Sequence, residues 1–172
     1  MFDRDGTLID HVHHLRDRDL TKLKANMGES LSRLSKSGFR LGMITNQSVV
    51  GRKLASLLEV QEINRVISDN LRLFGVNFEF VLICPHLPED NCTCRKPRIE
   101  LGIRASNEYG VELEKSYYVG DQPSDVEFAR NLGCKSVLVV DQDSNLMGSD
   151  YIARNLSDAA NWIIIDSARR KS

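Results

Sequence analysis

Three cysteines and a histidine fall within one run of eleven residues: Cys84-Pro85-His86, five further residues, then Cys92-Thr93-Cys94. Thiolate and imidazole are the ligands zinc favours. A Cys₃His set with no acidic member makes a closed, four-coordinate structural site rather than an open catalytic one. Arg95-Lys96-Pro97 comes directly after. A loop clamped at the metal would therefore present a basic pair to an anion, Lys96 as a point charge and Arg95 as a fork. The blander alternatives are a disulfide or unrelated buried thiols for the cysteines, and solvated surface for the basic pair.

A second constellation opens the chain, Asp3-Arg4-Asp5-Gly6-Thr7. Residues two apart in extended backbone point the same way, so Asp3 and Asp5 can face one pocket while Arg4 points elsewhere. Gly6 lets the chain turn away without a Cβ. Two neighbouring carboxylates do not ionise equally, which suits one nucleophile and one general acid. An Asp-Gly pair can also simply mark a turn. Gly120-Asp121-Gln122-Pro123-Ser124-Asp125 adds two more carboxylates. Asp3, Asp121 and the backbone carbonyl of Asp5 would offer Mg²⁺ a hard oxygen set. For Asp125, a first-turn helix acid is an equal alternative. Thr45-Asn46-Gln47-Ser48 supplies neutral donors for phosphate oxygens, or a plain polar loop.

These residues need elements to bring them together, and the hydrophobic pattern supplies them. Strands are expected at 39–45, 78–83, 117–119 and 136–140. Helices are expected at about 28–37, 54–74, 99–109, 124–132 and 158–165, with Ser124 and Ser157 as N-caps. Strands alternating with helices imply a parallel sheet covered on both faces. Ligands of such sheets bind beyond the carboxyl ends of the strands. Asp3, the 45–48 segment, the cysteine loop and Asp121 each come after a strand, so they converge on one edge. Cys134 reads as a buried thiol. His11, His13 and His14 cluster on a substrate-side loop, where a metal site is the lesser alternative.

With 172 residues the chain is expected to form one domain, 1–172. A net charge of −1 with no long basic block argues against nucleic acid as partner. No apolar run spans a bilayer and no signal peptide is evident, and clustered cysteines fit a reducing cytoplasm.

Taken in order, D-R-D-G-T, T-N-Q-S, C-x-H…C-x-C-R-K-P and G-D-x-x-x-D resemble the haloacid dehalogenase superfamily of phosphatases. The cysteine loop is similar to that of its heptose-bisphosphate phosphatase and histidinol-phosphatase branch. The resemblance runs from Asp3 to the helix near residue 165. It implies an α/β, three-layer Rossmann-like, doubly wound parallel sheet, capless, with a zinc-binding loop. It further implies Asp3 as nucleophile, Asp5 as general acid/base, and Thr45, Asn46 and Ser48 as phosphate-binding loop. Arg95 and Lys96 become phosphate stabilisers, Asp121 with Asp3 and the Asp5 carbonyl the Mg²⁺ set, and Cys84, His86, Cys92 and Cys94 the Zn²⁺ ligands.

Three departures bear on the substrate. The cysteine loop is short, closer to histidinol-phosphatase. Arg98-Ile99-Glu100-Leu101 succeeds Lys96-Pro97 where heptose enzymes carry a second proline and a glycine. His11-Val12-His13-His14 replaces a glycine-tyrosine loop. Against these, the short spacing from Gly6 to Thr45 and the Ser48…Arg52 segment fit the heptose branch, which is the reading favoured. His14 and Arg52 are then expected to line the substrate entrance of a cytoplasmic monomer acting on a small phosphorylated sugar, away from membranes. Histidinol-phosphate hydrolysis, a nucleic-acid 3′-phosphatase and a non-catalytic zinc-stabilised phosphosugar-binding module are the alternatives. Only Met1 and Phe2 precede Asp3, too few for a central strand, so the gene product is expected to begin several residues earlier.

Overall fold

Alternate residues of each strand go to opposite faces, and two apolar cores divide along that alternation. Met43, Val119, Val137 and Val139 join one cluster, while Ile44 and Tyr118 join the other. In a computed structural model that describes residues 1–140 and 148–171, five strands lie parallel. They are β1 (Leu41–Asn46), β2 (Phe78–Cys84), β3 (Tyr117–Gly120), β4 (Lys135–Val139) and β5 (Tyr151–Ala153). β1 pairs with β2, and β3 with β4 and then β5. Phe2 joins the two halves, bridging Met43 on one side and Val119 on the other.

The spatial order is thus β2-β1-Phe2-β3-β4-β5. Chain order reverses around Phe2, the kind of switch point where open α/β sheets bind ligands. Backbone hydrogen bonds hold the junction: Phe2 N donates to Gly42 O, Asp3 N to Val119 O, Val119 N to Met1 O and Ile44 N to Phe2 O. The Met1 ammonium donates to Tyr117 O at 2.8 Å, and burial lowers its pKa to about 6.

Helices α1 (Met27–Lys36), α3 (Leu57–Arg72) and α6 (Leu156–Lys171) cover the face of Met43 and Val119. Helices α4 (Glu100–Tyr109) and α5 (Pro123–Leu132) cover the other. A single turn, α2 (Ser48–Gly51), comes directly after β1. The chain is therefore an α/β protein with a parallel sheet between helical layers, as expected. Among the described residues no helix is long and apolar enough to cross a membrane.

Several boundaries differ from expectation. α5 starts at Pro123 with Gln122 as N-cap, so Ser124 lies inside its first turn. α6 begins before residue 158, and Asn155 rather than Ser157 accepts from Asp158 N, at 3.0 Å. The helix also runs past residue 165 through a polar stretch. The 54–74 segment is helical only from Leu57, because Ser56 and Glu59 form a capping box there.

Candidate active site

Phe2 delivers Asp3 to the switch point, where its side chain is buried. Lys96 comes from the cysteine loop and is also buried, so its ammonium must be satisfied by the protein. Three acceptors surround it: Asp3 Oδ1 at 2.6 Å, Asp125 Oδ1 at 2.7 Å and the Tyr118 hydroxyl at 2.8 Å. Tyr118 in turn donates to Ile44 O at 2.7 Å. Burial disfavours the charged lysine, but Asp3, Tyr118 and Asp125 outweigh it and hold its pKa well above the usual value. Burial pushes the Asp3 carboxyl up to about 7, with Lys96 opposing and Asp125 adding to the rise. Lys96 is thus a member of a buried charge triad and not solvated surface.

Asp125 does two things at once. Its Oδ2 accepts from Asp121 N at 3.2 Å and Gln122 N at 3.1 Å, closing the first turn of α5. Its Oδ1 holds Lys96. Asp3, Asp121 and Asp125 offer carboxylate oxygens all within 4.8 Å of one another. An all-oxygen set suits a hard divalent cation. Asp121 accepts from Gln122 Nε2 at 2.7 Å, and burial raises its pKa with that bond opposing.

Two glycines make this packing possible. Gly6 has φ +81°, and a Cβ there would lie 2.2 Å from Asp121 Oδ2. A Cβ on Gly120 would lie 2.3 Å from Asp125 Oδ2. Gly120→Ala is expected to push Asp125 off Lys96 and lower kcat roughly 10²-fold, the cost of about 1 Å of misplacement. Phosphate-release kinetics beside a thermal melt check this. A variant with wild-type kcat and melting temperature would show that the contact does not position Asp125.

A cleft of about 440 Å³ opens above Asp3 and Lys96. Asp5, Ser48, Arg52, Arg95 and His14 line it, as does Asn46. Asn46 is nonetheless turned to the backbone of Lys96: its Oδ1 accepts from Lys96 N at 3.1 Å and its Nδ2 donates to Lys96 O at 3.2 Å. The expected phosphate-binding amide thereby ties the end of β1 to the cysteine loop. Thr45 is not among the lining residues. It is buried, and its hydroxyl accepts from Gln47 Nε2 at 2.8 Å. Arg95 donates to His86 O at 3.3 Å. The His13 and His14 rings stand 3.8 Å apart. Burial lowers the His14 pKa, and the neighbouring His13, Arg52 and Arg16 lower it further.

Arg4 corrects the sequence expectation. It does not point away but folds beneath Asp5, 1 % exposed, with its Nη2 3.0 Å from the Asp5 carboxylate. Extended backbone ends at Asp3: Leu8 N and Ile9 N both donate to Arg4 O, so a turn already begins there. Gln47 was a residue without a specific role in the sequence; its Nε2 donates to Asp5 Oδ2 at 2.6 Å. Only the T-N-Q run itself signalled it.

On the far side of Lys96 the four expected metal ligands converge. The Sγ atoms of Cys84, Cys92 and Cys94 lie 3.3–3.7 Å apart, and His86 Nδ1 lies 3.1 Å from Cys94 Sγ and 3.7 Å from Cys84 Sγ. Zn–S bonds of 2.3 Å at tetrahedral angles imply S···S edges of about 3.8 Å. The cluster is nearly that tetrahedron, with His86 presenting Nδ1, and all three thiols are free rather than bridged. Cys134 is a buried thiol in the second core, as expected, and burial raises its pKa to about 11.

The chain is similar to known proteins in fold and in sequence. The fold matches the structure of D,D-heptose 1,7-bisphosphate phosphatase from B. bronchiseptica complexed with magnesium and phosphate, with a TM-score of 0.86. The match covers 96 % of this chain and 97 % of that one at 24 % identity. Residues 93–159 match the HAD-hydrolase-like family profile. D-glycero-beta-D-manno-heptose-1,7-bisphosphate 7-phosphatase of Helicobacter pylori (strain ATCC 700392 / 26695) is 30 % identical over 142 residues, 82 % of each chain. The bifunctional histidine biosynthesis protein HisB of Legionella pneumophila (strain Lens) is 36 % identical over 133 residues, but this chain spans only 38 % of its length. The chain belongs to the haloacid dehalogenase-like phosphatases.

Proposed function

We propose that the protein hydrolyses a phosphomonoester of a small sugar, D-glycero-D-manno-heptose 1,7-bisphosphate, through an aspartyl-phosphate on Asp3. The observation that carries the reading is the buried Lys96 ammonium shared by Asp3 and Asp125 at the floor of the cleft. It fixes Asp3 with one oxygen tied and the other free for in-line attack on phosphorus. Asp5 donates the proton that the leaving sugar oxygen requires and later accepts one from the attacking water. Ser48 and Arg95, with Thr45 and Asn46 behind them, bind the phosphoryl oxygens. The oxygen donors Asp3 and Asp121, with the Asp5 carbonyl, suit Mg²⁺, which when bound would offset phosphate charge. The soft donors Cys84, His86, Cys92 and Cys94 suit Zn²⁺ as a structural ion. In this reading the chain is one domain acting as a cytoplasmic monomer.

The heptose phosphatase of Helicobacter pylori, matched over most of both chains, supports this substrate. The HisB similarity and the short cysteine loop favour histidinol phosphate as the second reading. A phosphate-release panel separates them, with heptose 1,7-bisphosphate, histidinol phosphate and a 3′-phosphorylated oligonucleotide, each with and without Mg²⁺. The expected result is highest kcat/KM on the heptose, only with Mg²⁺. Histidinol phosphate as clearly the best substrate would overturn the choice. Arg52 lines the entrance and is exposed. Arg52→Glu is expected to raise KM about tenfold and change kcat little, because a distal-phosphate contact acts equally in ground and transition states. A kcat loss exceeding the KM rise would contradict that role.

A further inference from the structure

Arg4 is the largest fully buried side chain among the described residues, and every arm of its guanidinium is engaged. Nε and Nη2 reach both oxygens of Asp5 at 3.0–3.2 Å. Nη2 also donates to Gln47 Oε1 at 2.7 Å, and Nη1 donates to Asn64 Oδ1 at 3.1 Å. Asn64 lies on the buried face of α3 with its own Nδ2 unpartnered, so its amide is oriented for Arg4 at a cost to itself. Gln47 closes the ring, donating to Asp5 Oδ2 and to Thr45 Oγ1. Asp5 is thus held from behind at both oxygens, while its side chain remains 22 % exposed toward the cleft.

We infer that Arg4, held by Asn64 and Gln47, is a positioning residue that fixes the carboxyl of Asp5 at the leaving-group oxygen. This rests on the proposed role of Asp5. As the Asp3 oxygen bonds to phosphorus, the bond from phosphorus to the sugar oxygen breaks and that oxygen takes the Asp5 proton. Water then bonds to phosphorus, returns a proton to Asp5, and the Asp3–phosphorus bond breaks to release phosphate. A sugar alkoxide cannot leave without that proton, whereas a nitrophenolate can. A fork gripping both carboxylate oxygens prevents the rotation that a lysine, touching one, would allow. The requirement for Arg4 therefore scales with the basicity of the leaving group.

The test compares heptose 1,7-bisphosphate with p-nitrophenyl phosphate in the wild type, Asp5→Asn, Arg4→Gln, Arg4→Lys and Asn64→Ala. Arg4→Gln is expected to lower kcat on the sugar phosphate roughly 10²-fold with KM within about threefold, and on the aryl phosphate less than about fivefold. Arg4→Lys should fall between, and Asn64→Ala should show the same split at about fivefold on the sugar phosphate alone. Equal losses on both substrates in a folded variant, or no loss, overturn the inference. If both Arg4 variants fail to fold, Asn64→Ala decides: no split there overturns it. A split in Asp5→Asn but none in the others sinks the Arg4 role alone. The absence of a split in Asp5→Asn, or of any wild-type turnover, sinks the reading of Asp5 and the inference with it.

Discussion

Asp3→Asn is expected to leave a folded protein whose phosphate release falls by roughly 10⁴-fold or more, the scale seen when a covalent nucleophile is removed. The substitution keeps shape and volume but replaces the free carboxylate oxygen by an amide, a far poorer nucleophile and metal ligand. Stability should change little. Asp3 is a carboxyl that burial already pushes toward its neutral form, and Lys96 keeps Asp125 and Tyr118 as partners after the change. Kinetics on protein free of wild-type contamination, with a thermal melt alongside, provide the check. Activity within tenfold of wild type would sink covalent catalysis by Asp3.

If the cysteine cluster holds zinc as proposed, removing the ion is expected to abolish activity and to lower thermal stability together. Cys94 directly precedes Arg95 and Lys96, and Asn46 pins the Lys96 backbone, so the loop that loses its clamp is the loop that supplies the buried ammonium. Without the ion, thiols held within 3.7 Å lose their common partner, and binding energy that belongs to folding is lost. Elemental analysis of protein purified without chelator should find one zinc per chain. X-ray absorption should give three Zn–S distances near 2.3 Å and one Zn–N near 2.0–2.1 Å. No zinc, or a Cys92–Cys94 disulfide, would refute the site.

Much of this was legible in the residues, for physical reasons. Strands of a covered sheet show as apolar runs, 80–83 within β2 for example, and a parallel sheet gathers the residues at its strand ends along one edge. That is why Asp3, Asn46, Cys84 and Asp121 group together on sequence grounds alone. β5 was missed because Tyr151–Ala153 is three residues long and only Ala153 is fully buried, too little for a period to register. The far end of α6 was missed because residues 166–170 carry few apolar groups. The inward turn of Arg4 was illegible because a charged side chain reads as solvent-facing unless its partners are known. Two of those partners, Gln47 and Asn64, lie 43 and 60 residues away.

The lysine with three acceptors has a consequence for charge accounting along the reaction. Lys96 is the cation placed between Asp3 and Asp125 at the floor of the cleft. If Asp3 takes phosphorus as proposed, its oxygen becomes part of an ester that attracts the ammonium less, while the phosphoryl group brings its own negative charge to the same place. The ammonium hydrogen that Asp3 attracts less is left facing the group that has just arrived. In that covalent state the ammonium would exchange a carboxylate partner for a phosphoryl one, and release of phosphate would restore the first.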